Sequence, residues 1–384
     1  MTMSAISQAG ERDRLIVKLR EIDWVLCMML AAIAGIGTLM LYSIAGGKWA
    51  PWADHHLGLF VVCFIGMIAL ATVDLRVWFT LAYPVYGLGL LLLLAVAVIG
   101  HTSLGAKRWI GAGGFQIQPS EFIKLGLVMA LARFYHGLSA ARARWSWSLL
   151  IPAALILVPA ALVARQPDLG TAILIAATGA IVMIFAGLSP RVVGAAVAAV
   201  ALGAPLAFAF VLKAYQRARL LTFLNPEADR SGAGYHIIQS EIALGSGGLM
   251  GKGLGLGTQS QLNFLPEKST DFIFASMAEE LGFIGCATVL AIYAAIILVS
   301  LRTAAIAHSH FGRLATAGIT ATFALCVLIN GAMVMGLAPV VGVPMPLLSY
   351  GGTVMIAMMA GFALVLSVRV HRYSEVTSVV GPFV

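Results

Sequence analysis

"FLPEKSTDFIF", Phe264–Phe274, sets Glu267, Lys268 and Asp271 at the mouth of an apolar run that continues to Leu301, with Glu279 and Glu280 inside it. The run from Asp271 to Leu301 is longer than the ~20 residues needed to cross ~30 Å of hydrocarbon. Nine further stretches of similar character recur along the chain: Trp24–Ile44, Leu57–Val73, Phe79–Gly100, Pro119–Tyr135, Trp147–Ala164, Leu169–Leu188, Val192–Leu212, Leu314–Leu337 and Pro346–Val370. The fold class that follows is all-α integral membrane, with about ten transmembrane helices.

Composition agrees. Of 384 residues, 60% are hydrophobic and 10% charged, and mean hydropathy is +0.96, whereas about a quarter of the residues of a soluble domain are charged. A soluble dehydrogenase or kinase is excluded. The net charge of +8 reports topology rather than nucleic-acid binding. With a cytoplasmic N-terminus, Arg12, Arg14, Lys18, Arg20, Arg76, Arg133, Arg142, Arg144, Arg191, Arg302, Arg313, Arg369 and Arg372 fall inside. Only Lys48, Lys107, Arg108 and Arg165 occupy the short outside loops. That bias places both termini in the cytoplasm. The first run is too long for a signal-peptide core and no small-residue cleavage pattern follows it, so it reads as an uncleaved span. Cys27, Cys63, Cys286 and Cys326 all lie in apolar runs, as buried hydrophobes rather than disulfides or metal ligands.

The chain thus divides into a cytoplasmic segment 1–23, a membrane domain 24–370 and a cytoplasmic tail 371–384. Between the seventh and eighth spans lies one large extracytoplasmic loop, 213–270. Loops beyond ~12–15 residues are usually functional or disordered. This one contains "YHIIQSEIAL", Tyr235–Leu244, with apolar residues at roughly helical spacing, and reads as a short interfacial helix packing back on the bundle. Its "GSGGLMGKGLGLG" run fails both nucleotide-loop patterns: Ser246 stands where the first P-loop glycine belongs, and Gly253 follows Lys252. Turns are the expectation there.

An ionisable group within a span costs about 3 kcal/mol or more, so each needs a partner or a purpose. In "QPSEFIK", Glu121 and Lys124 lie three residues apart on one helix face and can neutralise one another, as a structural pair, as the lining of a substrate cavity, or both. In "GAKRWI", Lys107 and Trp109 suit headgroup anchoring, while the Arg108 guanidinium also suits bidentate diphosphate binding. "ARQPDLGT" gathers Arg165, Gln166 and Asp168 in a tight turn where Asp168 either caps the sixth span or has a chemical role. Ser269 or Thr270 can cap a helix that holds Asp271 in its first turn, where the helix dipole favours a carboxylate. Against a mere cap stands the density of charge from Glu267 to Glu280; such a helix must begin in a wet pocket, with hydrocarbon contact mainly from Leu281 onward. In "PVVGVPMPLLSYGGT", Pro339, Pro344 and Pro346 suggest irregular backbone lining a cavity, with Ser349 a candidate substrate contact. The Ala140–Ser148 loop either touches cytoplasmic partners or anchors at the surface.

"GAKRWI…QPSEFIKL", "RQPDLGT", "GTQSQLNFLPEKSTDFIFASMAEELGFIG" and "PVVGVPMPLLSYGGT" closely resemble the SEDS proteins (shape, elongation, division and sporulation). The resemblance covers all ten spans and the large loop, and "GTQSQLNFLPEKSTDF" is similar to the elongation (RodA) type rather than the division (FtsW) type. It implies a peptidoglycan glycosyltransferase that polymerises lipid II at the outer face of the bacterial inner membrane. It further implies action with a class B penicillin-binding protein, the transpeptidase, and other elongation-complex proteins. On this resemblance Asp271 is the essential carboxylate, Glu121 and Lys124 the span-four pair, Arg108 the arginine of the "KRW" element and Asp168 the aspartate of "PDLG". Gln166, Glu267 and Ser349 join them as expected substrate-binding residues.

A β-1,4 product from an α-linked, polyprenyl-diphosphate donor implies inversion by single displacement. Asp271 would take the proton of the acceptor hydroxyl. Arg108, with Lys124 or basic residues of the large loop, would stabilise the leaving diphosphate, and a divalent cation, Mg or Mn, could assist. The competing readings are a lipid II flippase or transporter, a division-type polymerase, and a scaffold that only recruits the transpeptidase. A transporter keeps its charges near the bilayer midplane; here they gather at one end.

Overall fold

The computed structural model describes residues 15–375, apart from 104–105, 113–114, 139–146, 230–231 and 266. Readings that rest on Arg12, Arg14, Arg142, Arg144, the tail beyond 375 and most of the Ala140–Ser148 loop lie outside those residues, as does the side chain of Lys107.

Helices stand at all ten expected positions: α1 (Trp24–Ile44), α2 (Ala53–Ala71), α3 (Leu75–Ile99), α4 (Pro119–His136), α5 (Leu150–Arg165), α6 (Leu169–Phe185) and α7 (Pro190–Leu206), then, after the large loop, α11 (Ile273–Ile306), α12 (His310–Val334) and α13 (Gly352–Val370). The loop itself contributes α8 (Ala214–Leu224), α9 (Ala233–Ser246) and the single turn α10 (Thr258–Gln261). Helix α9 coincides with the expected interfacial helix. Eight helices among the described residues are long and apolar enough to cross a membrane. The other two fall short for visible reasons: α4 carries Glu121, Lys124 and Arg133, and α6 has 17 residues.

Burial is inverted relative to a soluble bundle. Val62, Leu91, Val98 and Phe283 point outward, while Glu121, Lys124, Glu279, Glu280 and Asn330 are buried. Only an apolar surroundings makes that arrangement favourable. This is a multi-pass membrane protein. Helices α4, α12 and α13 form the centre; α2 packs along α13, α3 along α4, α5 along α6, and α12 against α4, α6 and α11. At one end Lys18 donates to the Thr72 carbonyl and Ser367 to that of Val73, and Arg372 pairs with Glu21 at 2.5 Å. These contacts bring the start of α1, the α2–α3 turn and the end of α13 together, as an even number of spans requires. The large loop and the Asp271 turn sit at the opposite end.

Four features differ from expectation. Residues between α3 and α4 form three short antiparallel strands, β1 (His101–Ser103), β2 (Ala106–Ala112) and β3 (Phe115–Ile117), in the order β1-β2-β3; they are too short to leave a periodic signal. Helix α13 starts at Gly352 rather than Pro346, because Met345–Ser349 coils on itself, the Met345 amide donating to Ser349 Oγ at 2.9 Å. Helix α11 starts at Ile273, with Phe272 as an N-cap that makes no side-chain bond. Asp271 therefore precedes the helix, and neither Ser269 nor Thr270 caps it.

The fourth is a splice within α11. Gly282 breaks the helix at φ 66°. The amides of Phe283 and Ile284 donate to the carbonyls of Gly248 and Leu249 (2.9 and 3.1 Å), while the Glu279 and Glu280 carbonyls accept from Lys252 and Gly253 (both 3.0 Å). The glycine-rich run thus replaces the hydrogen bonds the kink removes, which irregular backbone at membrane depth requires. Side chains 273–280 are buried and outward exposure begins with Phe283, close to the expected transition at Leu281.

Candidate active site

Three irregular segments meet at the end of the bundle that carries the large loop. The first is the Asp271 turn. The Phe272 amide donates to the Glu267 carbonyl (3.1 Å), and the Thr270 hydroxyl donates to Glu267 Oε2 (2.9 Å). From the core of α12, the Asn330 amide donates to the carbonyls of both Asp271 and Val343 (2.8 Å each). That double grip holds Asp271 out of the helix and explains its place ahead of the first turn. Its carboxylate stays half-buried, facing Gly342 in the α12–α13 segment: a Cβ on that glycine would lie 3.5 Å from Asp271 Oδ2.

The second segment is β2 against the α5–α6 turn. Arg108 donates from Nη2 to the Pro167 carbonyl (2.5 Å) and from Nε to the Gln166 carbonyl (3.4 Å), and its Nη1 lies 3.5 Å from Asp168 Oδ2. Asp168 is at once the cap of α6, its Oδ1 accepting from the Thr171 amide (3.2 Å), and the ionic partner of Arg108. Of the two alternatives for Asp168, the cap is present, and the same carboxylate also pairs with Arg108. Gln166 spends its side chain on the Leu93 carbonyl (2.9 Å), which fixes the turn. The third segment is the end of α12 to the start of α13, where the Tyr350 amide donates to the Ser269 carbonyl (2.8 Å). Ser349 itself is buried and holds Met345, so it staples the loop instead of facing a ligand.

Electrostatically, Asp271 is a contested position. Burial and the Glu267 carboxylate push its pKa up to about 6, against the pull of Arg219 and Arg108. Arg219, on α8, is a partner the sequence reading did not single out. So is His236 on α9, whose ring stacks on Phe272 (6.0 Å, 24°). Burial pushes the His236 imidazole down. The signal for both was the helical loop segment itself, whose facing could not be read without the fold. Lys268 turns away from Asp271: its ammonium donates to the Ser260 carbonyl (2.6 Å) and Asn263 Oδ1 (2.7 Å).

Glu121 and Lys124 are paired at 2.8 Å and are both about 95% buried. The space beside them is about 20 Å³ with largely apolar walls, room for a single water. They do not line an open substrate cavity. Deeper on the other flank, Glu279 is saturated by Lys252 (2.6 Å), the Thr258 amide and hydroxyl (2.9 Å each) and the Gln259 amide (3.0 Å), and Ser43 donates to Glu280. These acids are structural. Among the described residues no three His, Cys, Asp or Glu side chains converge as a metal cluster.

Residues 23–374 match the family model "Cell cycle protein" of FtsW, RodA and SpoVE. The chain belongs to the SEDS family. It is 42% identical over 352 residues to "Peptidoglycan glycosyltransferase MrdB" of Escherichia coli strain K12, covering 92% of this chain and 94% of that one. It is 34% identical to "Probable peptidoglycan glycosyltransferase FtsW" of Trichlorobacter lovleyi, covering 91% and 94%. The crystal structure of the Thermus thermophilus rod shape determining protein RodA superposes with a TM-score of 0.69 at 30% identity, covering 92% of this SEDS protein and 98% of RodA. A chain from a study of "structural coordination of polymerization and crosslinking by a peptidoglycan synthase complex" superposes at 0.78 with 33% identity, covering 92% and 98%. The higher identity to MrdB and the solved RodA relatives agree with the RodA type.

Proposed function

We propose that this SEDS protein is a peptidoglycan glycosyltransferase that polymerises lipid II into β-1,4 glycan strands during cell elongation. It would act at the outer face of the bacterial inner membrane, with both termini cytoplasmic. The observation that carries the reading is the half-buried Asp271 carboxylate, raised to about 6, at the loop end of a lipid-immersed bundle with Arg108 and Arg219 in electrostatic reach. A general base poised near the working pH is what hydroxyl activation needs.

In the reaction, Asp271 takes the proton of the acceptor sugar's 4-hydroxyl. The freed oxygen forms a bond to C1 of the donor as the bond from C1 to the diphosphate breaks, with inversion. Polyprenyl diphosphate leaves as a stable anion, and Arg108 and Arg219 offset its charge in a site poor in water. Asp168 holds Arg108 in place, and Glu267 tunes Asp271 by its charge. Glu121 and Lys124 support the helix behind Asp168 without touching substrate. A divalent cation, Mg or Mn, would supply further charge at the diphosphate; with no cluster of three such ligands among the described residues, it would draw ligands from the substrate and one or two of these carboxylates.

We assign the transpeptidase partner to the class B penicillin-binding proteins; the chain is similar to one from a peptidoglycan synthase complex described as coordinating polymerization and crosslinking. The deciding experiment is purified protein with that partner, lipid II and a gel for glycan. Strands from wild type are expected, whereas transfer of lipid II across liposomes without lengthening would establish a flippase instead.

A further inference from the structure

At the end of the bundle opposite Asp271, the last turns of α11 and α13 enclose a cavity of about 550 Å³, whose wall includes Ala305, Ile306, His308, Arg369, Arg372 and Tyr373. Contacts between its two sides build it. The His308 amide donates to the Arg372 carbonyl (3.1 Å), and the His308 ring meets that of Tyr373 edge-on (5.5 Å, 81°). The Arg372 guanidinium lies over the same Tyr373 ring at 4.8 Å. It also donates to Glu21 (2.5 Å), which ties the cavity to the segment ahead of α1.

Arginine near a helix end on this side follows from topology alone, and other basic groups there are spent within the protein. Lys18 donates to the Thr72 carbonyl (2.8 Å), and Arg133 to those of Phe79 and Thr80 (2.9 Å each). Arg369 differs. It is half-buried and lines the cavity, yet makes no hydrogen bond or ion pair among the described residues. The wall contains no Asp or Glu, and Glu375 is exposed and outside it. Two guanidiniums against the one Glu21 carboxylate leave a single positive charge, the complement of a phosphodiester. Helix C-termini oppose an anion through their partial charge. Here, however, the Ser367 and Arg372 carbonyls already accept from the His371 and His308 amides (2.9 and 3.1 Å), so the guanidiniums set the local field. A guanidinium presents paired donors that match two phosphate oxygens.

The remaining wall is apolar. Ala305 and Ile306 are exposed, and Leu298 and Leu301 continue the exposed face of α11 at helical spacing. A basic pocket bordered by an apolar helix face suits a molecule with an anionic head and hydrocarbon chains, and basic pockets between transmembrane helices bind such heads.

We propose that this cavity binds the phosphodiester head of an anionic phospholipid from the leaflet at that end. Arg369 is its main ligand, with Arg372 beside it, and the acyl chains lie along Leu298, Leu301 and Ala305. The bound lipid joins the ends of α11 and α13 to the segment ahead of α1 and so stabilises their assembly. The site is at the other end of the bundle from Asp271, and the inference stands apart from the glycosyltransferase reading.

Full-length protein in detergent, titrated with phosphatidylglycerol, phosphatidylcholine or inorganic phosphate, tests it by Tm and native mass spectrometry. Phosphatidylglycerol is expected to raise Tm by about 3 °C or more and to stay bound in the spectrum. Phosphatidylcholine and inorganic phosphate should do neither. Arg369→Gln should abolish most of the rise and Arg369→Lys keep part of it, while Arg191→Gln, at an exposed basic position of the same end, should respond as wild type does. Equal effects of the two lipids, or a full response in Arg369→Gln, would overturn the site. An equal rise with inorganic phosphate would make it a free-phosphate site and overturn the lipid assignment. A second arm uses wild type alone and needs no folded variant. Phosphatidylglycerol with a photoreactive head should label Ala305–His308 or Arg369–Tyr373, competed by unlabelled phosphatidylglycerol and not by phosphatidylcholine; labelling only elsewhere overturns the proposal. None of these readouts involves turnover, so their failure would leave the glycosyltransferase reading untouched.

Discussion

Burial and the Glu267 carboxylate raise Asp271 while Arg219 and Arg108 lower it, and the balance leaves it at about 6. A base must be ionised to accept a proton, so turnover should rise with pH through about 6 and then level. Glu267→Gln removes a negative neighbour, so the acid limb should move to lower pH, read from kcat/KM across pH 5 to 8; a move upward would contradict the tuning role. Stability carries the opposite sign to activity. A carboxyl raised by the fold destabilises the native state once it ionises: the cost is absent below the ordinary carboxylate range, grows as pH rises towards the folded value and is complete above it. Asp271→Asn should therefore melt at or above the wild-type temperature at pH 7.5 while losing activity. A lower Tm would mean that the carboxylate is structural.

At the scale of elements, the glycine-rich run and the kinked helix α11 depend on each other. A Cβ at Gly251 (φ 78°) would come within 2.1 Å of the Glu280 carbonyl, and one at Gly282 within 2.2 Å of the Gly251 amide nitrogen. Gly251→Ala should thus cost more than about 2 kcal/mol, seen as a lowered Tm in detergent, whereas Gly245→Ala, with open space around it, should not. The sequence reading recognised that this run is not a nucleotide loop and treated it as turns. What it could not supply was the partner, because backbone exchange between segments thirty residues apart leaves no periodic trace. The strands β1–β3 went unseen because β1 and β3 have only three residues each, while the ten long helices, announced by apolar composition, were legible within a few residues. Lys124 shows the limit for side chains: spacing alone made it a partner of Glu121, but only the fold distinguished a closed salt bridge from a cavity lining. Lys124→Ala leaves a buried carboxylate unpaired, at a cost of about 3–5 kcal/mol, and should reduce the yield of folded protein rather than activity alone.

Across the whole molecule, polar groups gather at one end of the bundle and the basic helix ends at the other. That polarity matches a reaction between two lipid-anchored substrates whose heads meet at a single face. A cysteine placed at Asn263 should react with an impermeant maleimide on intact spheroplasts, and one at Arg20 only after lysis; the reverse pattern would invert the proposed topology. Charge density marked the site's location, the Arg108 guanidinium and the Asp168 turn were candidates on their own chemistry, and the essential role of Asp271 came from family resemblance. Arg219 and His236 emerged only when helices distant in sequence met. The most direct test of the account is the single-turnover rate of lipid II polymerisation by wild type and Asp271→Asn, side by side, from pH 5 to 8. The account predicts a wild-type rate that climbs through about pH 6 and a variant slower by at least about 100-fold at every pH. A variant within a few-fold of wild type, or a wild-type rate that falls as pH rises through that range, would contradict it.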